Sequence, residues 1–461
     1  MKRGRSTALL LVLAAALGAY IWFVESGRDT TDDEPKAERV FASLEADQVA
    51  ALTVHAGNGD VTTLKKADAG WTIETPIQAP ADASEVSGVT SNLATLDITR
   101  VVDDAPQSLE PFGLEAPRLK ITFTANGAPR TLLFGSKSAT GGDVYAKLED
   151  TPRVFLVPAW LEQSFDRTTF QLRDKAVVTV NRESIDSVRV AGAPGTIELK
   201  KDGDAWRLVQ PFAARADSSE VGTLLTRLSS GQMQAIVAEQ PATLDVYGLL
   251  PPRTTVTLAG AGTQLAQVLV GTASGDAAVH MKDAARPIVF TVERSLADDL
   301  QRTVDTYRAR DLFSYRMFNL SRLVITRGDR VVTFEKTKTS DAADATETWV
   351  QSSPADASVT AAAIDDIASR LSTLRAEHWT HAAVSGVTPV MSVAATFDGG
   401  KQERVSIAQV GDQMLAMRDD EPGAARLTAP AVTDILNLLQ PPAADAAAKD
   451  DAAPARPGTT P

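Results

Sequence analysis

LKKADAGWTIETPIQAPADASEVSGVTSNLATLDI (residues 64–98) and LKKDGDAWRLVQPFAARADSSEVGTLLTRLSSGQM (residues 199–233) are two copies of one pattern. A shift of 135 residues aligns Leu64–Leu114 with Leu199–Leu249 without a gap, and 17 of those 51 positions are identical. A fixed internal period of this kind marks a repeat architecture and has to be read before any single element. The shared positions include Trp71 and Trp206, Pro76 and Pro211, Asp82 and Asp217, and Gly113-Leu114 with Gly248-Leu249. Arg173-Asp174 recurs near the same spacing as Arg310-Asp311. A third, more divergent copy begins near Phe313. There Trp349 is followed by Pro354, Thr360 and Leu371 at the offsets that separate Trp71 from Pro76, Asp82 and Leu93. Gly386 and Pro389 stand for the Gly-Leu and Pro positions.

Within one copy the pattern switches period. Alternation over Ala51–His55, Val61–Lys65 and Trp71–Glu74 predicts short strands running up to the proline. Asp82 with Glu85 three residues on is a helix start of capping-box type. Val86, Val89, Leu93 and Leu96 then fall on one helical face. The second copy supplies Asp217, Glu220, Val221, Leu224, Leu225 and Leu228, and the third Thr360 with Ile364, Ile367, Leu371 and Leu374. After the Gly-Leu turn come strand-like runs at Leu119–Thr124, Arg130–Phe134, Val144–Leu148 and Arg153–Val157, and a short helix near Pro158–Phe165. The expected fold class is α+β: three tandem repeats of a mainly antiparallel β unit with one long helix, end to end rather than a continuous solenoid.

The ends differ from the body. Lys2, Arg3 and Arg5 precede an uncharged apolar run from Ser6 to Val24, whose 19 residues reach roughly 28 Å as a helix, close to the thickness of a bilayer core. Tyr20 and Trp22 fit an interfacial belt. A cleaved signal peptide, with a small-residue site at Ala14-Ala15-Ala16, is the rival, but the run continues past that site to Val24, which suits a single N-terminal transmembrane anchor better. The basic flank predicts a cytoplasmic N-terminus and an exported body, at a bacterial inner membrane. The resulting division is an anchor at 1–24, a polar tether at 25–39, repeat domains at 40–177, 178–313 and 314–440, and an Ala/Pro-rich disordered tail at 441–461.

Composition excludes several classes. The chain has 461 residues, 59 acids against 46 bases, a net charge of -13 and no cysteine. The charge disfavours nucleic acid as a partner. The missing thiols exclude disulfides, thiolate catalysis and Cys-based metal sites, and with them a lipid-anchored lipoprotein. Removing the three bases ahead of the anchor leaves about -16 on the exported part.

The motifs GWTIETPIQAPAD (70–82), FGLEAP (112–117), LLFG (132–135) and LRDK (172–175) recur as AWRLVQPFAARAD, YGLLPP, VLVG and ARDLF. Together with the apolar N-terminus they resemble the bacterial domain-of-unknown-function 4340 family, over residues 40–313 well and over 314–440 loosely. Members of that family are often encoded beside the permease and ATPase subunits of an ABC-type transport system, and some neighbours resemble gliding-motility components. The resemblance implies an anchored extracytoplasmic accessory subunit, and it supplies no catalytic residue to carry over.

Each chemical candidate has a plainer structural alternative. His378 and His381, with Glu377 beside them, have spacing for one metal ion. As the end of the third repeat's long helix, where imidazole suits the negative helix terminus, they need no metal. Asp82/Glu85 and Asp217/Glu220 are paired carboxylates for acid–base work or helix caps. Trp71, Trp206 and Trp349 are stacking platforms or core. Gly135 and Gly271 close LLFG and VLVG outside any phosphate-loop pattern and read as turns. What all copies share is fold chemistry, so function is expected where they differ, at the seams or at one end. No residue is assigned a catalytic, cofactor-binding or metal role, and no cofactor is expected. The leading expectation is a non-enzymatic scaffold subunit of an ABC-type complex. The alternatives are a glycan- or lipid-binding module using seam aromatics such as Trp160, and a metal-dependent hydrolase using His378 and His381.

Overall fold

In a computed structural model of the chain, structure is described for Tyr20 and for residues 38–439 apart from 194, 339–346, 356–358, 382, 383 and 385. The expected anchor and tail, and the tether up to residue 37, lie outside the described residues, Tyr20 apart. Among the described residues no helix is long and apolar enough to cross a membrane. The chain divides into two compact units, Met1–Lys175 and Ala176–Pro461. The first unit contains one sheet and the second contains two.

In the first unit the alternating stretches form β1 (Val49–His55), β2 (Val61–Ala67), β3 (Gly70–Thr75), β4 (Ala79–Pro80), β5 (Arg100–Asp103), β6 (Leu119–Ala125), β7 (Ala128–Lys137), β8 (Asp143–Leu148) and β9 (Val154–Pro158). They pair in the order β4-β3-β2-β1-β6-β7-β8-β9-β5, every neighbour antiparallel. The second sheet, from Ser187–Gly192 to Val289–Glu293, repeats this nine-strand order. The third, from Leu320–Arg327 to Ala424–Leu427, has eight strands, and β4 has no counterpart among its described residues. The class is thus α+β, mostly antiparallel, built on three sheets.

The alternation buries one face of each central strand. In β6 these residues are Leu119, Ile121, Phe123 and Ala125, and in the third sheet Met391, Val393, Ala395 and Phe397. The long helices α1 (Ala83–Ala94), α2 (Ser218–Ser230) and α3 (Ala361–Ser372) bury the expected stripes, except that the last members of the first and third, Leu96 and Leu374, are buried just past the helix ends. In the first unit Val86, Val89, Leu93 and Leu96 join Leu52, Val54, Leu64 and Ile73 in one core. At the helix starts Asp82 Oδ1 accepts from the amides of Ser84 and Glu85, Asp217 Oδ1 from Ser219 and Glu220, and Thr360 from Ala363.

These caps are only half of the expected box. The Asp82 amide donates to the Leu172 carbonyl at 2.8 Å and the Asp217 amide to Tyr307 at 2.8 Å. With that amide already paired, Glu85 turns to Arg167 (3.0 Å) and Glu220 to Arg302 (3.4 Å). The end of each of the first two repeats is thereby fastened to the start of its own long helix.

Three expectations are corrected. Arg173 corresponds to Arg308 rather than Arg310: both are buried, and they bridge Ala81 and Ala216 respectively. Backbone pairing sets that register, whereas the shared Arg-Asp letters lie two residues out of it. Gly135 and Gly271 are not turns. Both lie in buried stretches of strand, where an added Cβ would collide with the carbonyl oxygen of Phe112 or Tyr247. They are glycines because another backbone passes against them. The true turns are Gly113 and Gly248, at φ 67° and 65°. Thirdly, Arg100–Asp103 is an edge strand where no strand was read, because four residues of which none is fully buried carry no clear period. The prolines aligned by the repeat, Pro76, Pro211 and Pro354, all follow cis peptide bonds.

Two outcomes follow. Gly135→Ala should cost about 1–3 kcal/mol through overpacking. Gly88→Ala, on an open face of α1, should be neutral or stabilising by up to about 1 kcal/mol; urea unfolding of both variants checks the contrast. For Asp82, burial pushes the carboxyl up, but Lys175 at 2.9 Å and the amides of Glu85 and Ser84 outweigh it and hold it below 3.8. A depressed folded pKa contributes stability above the unfolded value that is lost as pH falls through the folded one. Hydrogen-exchange protection of α1 should therefore fall below about pH 4. Asp82→Asn, which keeps a cap, should remove that part of the acid dependence.

Candidate functional site

The residues common to the copies are occupied by the fold. Trp206 and Trp349 are 8% and 4% exposed, and Trp71 is half-buried against its own core. The Lys336 ammonium lies 5.4 Å from the centre of the Trp349 ring. The carboxylates of Asp82, Glu85, Asp217 and Glu220 serve the caps and ion pairs already described. Trp160, at the start of the helix Ala159–Phe165, is 65% exposed.

The histidines sit at a strand, not at a helix end: His378 opens it and His381 lies one residue past it. The helix α3 stops at Ser372, and His378–Thr380 pairs with Ala424–Leu427 in the register His378↔Arg426. Residues three apart converge on a helix but point to opposite faces of a strand. His381 Nε2 lies 3.1 Å from Asp305 Oδ1, with its ring 5.2 Å from Phe212. Among the described residues no three His, Cys, Asp or Glu side chains gather as a metal site.

What gathers instead, in the second unit, is a set of arginines where its two sheets meet. Glu421 is fully buried. Its Oε1 accepts from Arg215 Nε at 2.5 Å and lies 3.4 Å from Arg418 Nε, and its Oε2 lies 3.5 Å from Arg308. Arg308 is itself buried, donates to the Pro422 carbonyl at 2.6 Å, and stacks 3.4 Å from the centre of the Trp379 ring with Phe212 5.2 Å away. Arg418 reaches both oxygens of Asp420 at 2.9 Å, Glu403 at 3.4 Å and the Leu312 carbonyl. Burial lowers the Arg308 pKa despite Glu421. For Arg418 burial works the same way, but Asp420, Glu403 and Glu421 outweigh it and raise the value. Both remain cations at any ordinary pH.

In front of this cluster runs a groove of about 700 Å³, lined by residues from both repeats of the unit. Its apolar part takes in the edges of the largely buried Trp206 and Phe397, and Arg207, Arg316 and Lys401 lie along it. A second hollow, of about 160 Å³, lies within the second repeat and is lined by Val190, Ile197, Pro211 and Val304 with Thr196 and Gln301. The first repeat is stitched shut at the same place. Thr62 and Thr169 share a hydroxyl hydrogen bond of 2.7 Å, the Thr169 amide donates to Asp60 and the Gly57 amide to Asp166. In the second repeat Asp60, Thr62, Asp166 and Thr169 become Gly195, Ile197, Gln301 and Val304. Neither surface was read from the residues alone. The available signal was a change of polarity between aligned copies, which a search for shared positions passes over.

Removing the central carboxylate tests the cluster. Glu421→Ala should cost about 3–5 kcal/mol, since three buried or half-buried guanidinium groups lose a common partner. Chemical denaturation monitored by hydrogen exchange should place that loss in the second unit and leave the first unchanged.

Comparison with known proteins adds the family. No curated protein matches the chain. A DNA polymerase sliding clamp from Pseudomonas aeruginosa aligns over 84% of this chain and 94% of that chain at 9% identity, but with a TM-score of 0.14, too low to support a common fold. The family model described as "Domain of unknown function (DUF4340)" matches residues 71–205 and 206–390. The two matches begin at Trp71 and Trp206, one repeat apart, so each runs from the third strand of one repeat into the next. Since they cover well over half of its residues, the chain belongs to the DUF4340 family.

Proposed function

We propose that this protein is a non-enzymatic, membrane-anchored accessory subunit that binds or braces partners outside a bacterial inner membrane, within an ABC-type transport complex. The observation that carries the binding role is the groove of the second unit, where Arg207, which replaces Thr72 of the first copy, and Arg316 lie beside the exposed edges of Trp206 and Phe397. That combination is enriched at protein–protein interfaces. The shared Trp, caps, stripes and glycines are engaged in folding, which leaves recognition to the residues that differ. The apolar run Ser6–Val24 supports the anchor, and the transport setting rests on the family resemblance.

Affinity capture of the full-length tagged chain, crosslinked in intact membranes, should recover permease or ATPase subunits. Recovery of none, together with unimpaired transport in a deletion strain, would remove the reading. The hollow at Val190, Ile197, Pro211 and Val304 favours a second reading, an apolar-ligand module for lipid or glycan. There, native mass spectrometry of the purified protein should find a bound molecule that Val304→Glu abolishes. An unliganded spectrum after extraction in mild detergent would count against it.

A further inference from the structure

The charges around the groove of the second unit are unevenly engaged. Among its four acids, Asp202 is exposed at a strand end, Asp311 pairs with Arg375 at 2.9 Å, Asp420 holds Arg418, and Glu403 holds Arg418 and the Ser314 amide at 2.8 Å. Among its bases, Arg215 and Arg418 are tied to Glu421, and Lys401 lies 3.3 Å from Asp398. The side chain of Arg207 has no hydrogen-bond or ion-pair partner among the described residues. Arg316 gives only Nη1 to its neighbour's carbonyl, at 3.3 Å. Two guanidinium groups, one from a strand of the second sheet and one from the loop leading into the third, therefore line the groove without a carboxylate of their own, in a chain whose 59 acids outnumber its 46 bases. Of the aromatic rings along the groove, Trp206 and Phe397 show only edges, at 8% and 5% exposure, and Phe313 lies beneath them.

We infer that this groove binds an extended, acidic segment of a protein partner, with carboxylates meeting Arg207 and Arg316 and an apolar side chain seated against the exposed edges of Trp206 and Phe397. The inference rests on the scaffold reading above and names the chemistry of its partner. A planar guanidinium favours a carboxylate because it makes two parallel hydrogen bonds to it. Carboxylates on one side chain alone would not use the apolar part. A peptide presents both at the residue spacing of an extended chain.

The test uses the full-length protein in detergent and a fluorescein-labelled peptide, Ser-Asp-Glu-Leu-Phe-Glu-Asp-Ser, with its Asn/Gln counterpart as control. Fluorescence anisotropy should show binding that weakens as salt rises. Binding should fall at least about tenfold for the amide peptide and for the double variant Arg207→Glu/Arg316→Glu, the loss expected for a charged hydrogen bond. The melting temperature of that variant should be unchanged, because neither side chain holds the fold together. Equal binding by the double variant or by the amide peptide would overturn the inference. So would absent peptide binding alongside binding of a hexuronate oligosaccharide, which would point to carbohydrate. Membrane crosslinking separates this from failure of the scaffold reading. A transporter subunit captured equally by both proteins overturns the groove alone, and one lost from the double variant supports it. If none is captured by either, the scaffold reading falls and the peptide titration decides the groove.

Discussion

Each repeat depends on burying one helical stripe against one face of an antiparallel sheet. For the first, the stripe is Val86, Val89, Leu93 and Leu96, all essentially inaccessible. Full burial of one aliphatic side chain contributes about 1.5–3 kcal/mol. Four of them supply a gross term comparable with the whole net stability of a typical domain. The strands could not withhold that face from water without the helix, and an isolated helix of twelve residues would be marginal without the sheet. The cap fixes where the helix begins. The amide of the capping Asp, donating to Leu172 or Tyr307, returns the end of the repeat to that same point.

The second unit adds a different constraint, a polar one. Glu421, Arg215, Arg308 and Arg418 bring charge into a place that two sheets enclose. A buried ion cluster is weak as a source of net stability, because desolvation offsets most of the attraction. Its consequence is geometric. Bidentate and stacked arginine contacts are directional, so they hold the two sheets in one arrangement and keep the groove in front of them open.

Duplication separates the two roles. Where the first repeat closes a gap with Thr62, Thr169, Asp60 and Asp166, the second leaves apolar walls at Ile197 and Val304. The backbone is the same in plan, so a few changes of polarity convert a stitched corner into a hollow. Arg215 and Glu421 likewise occupy positions where the repeat pattern is broken, Pro80 being the counterpart of Arg215.

Much of the fold was legible because it rests on local periodicity. Alternation at β1, β2, β3 and β6, the Val86, Val89 and Leu93 stripe of α1 and the Asp caps are all set by residues within a dozen positions of one another. The 135-residue recurrence then made the three sheets one plan. The groove, the Glu421 cluster, the strand at His378 and the close approach at Gly135 were decided by the tertiary structure. Each depends on residues roughly twenty to two hundred positions apart, and sequence period carries no record of which distant backbone will pass nearby. A charge or a glycine states what a position can tolerate. Only packing decides what it meets.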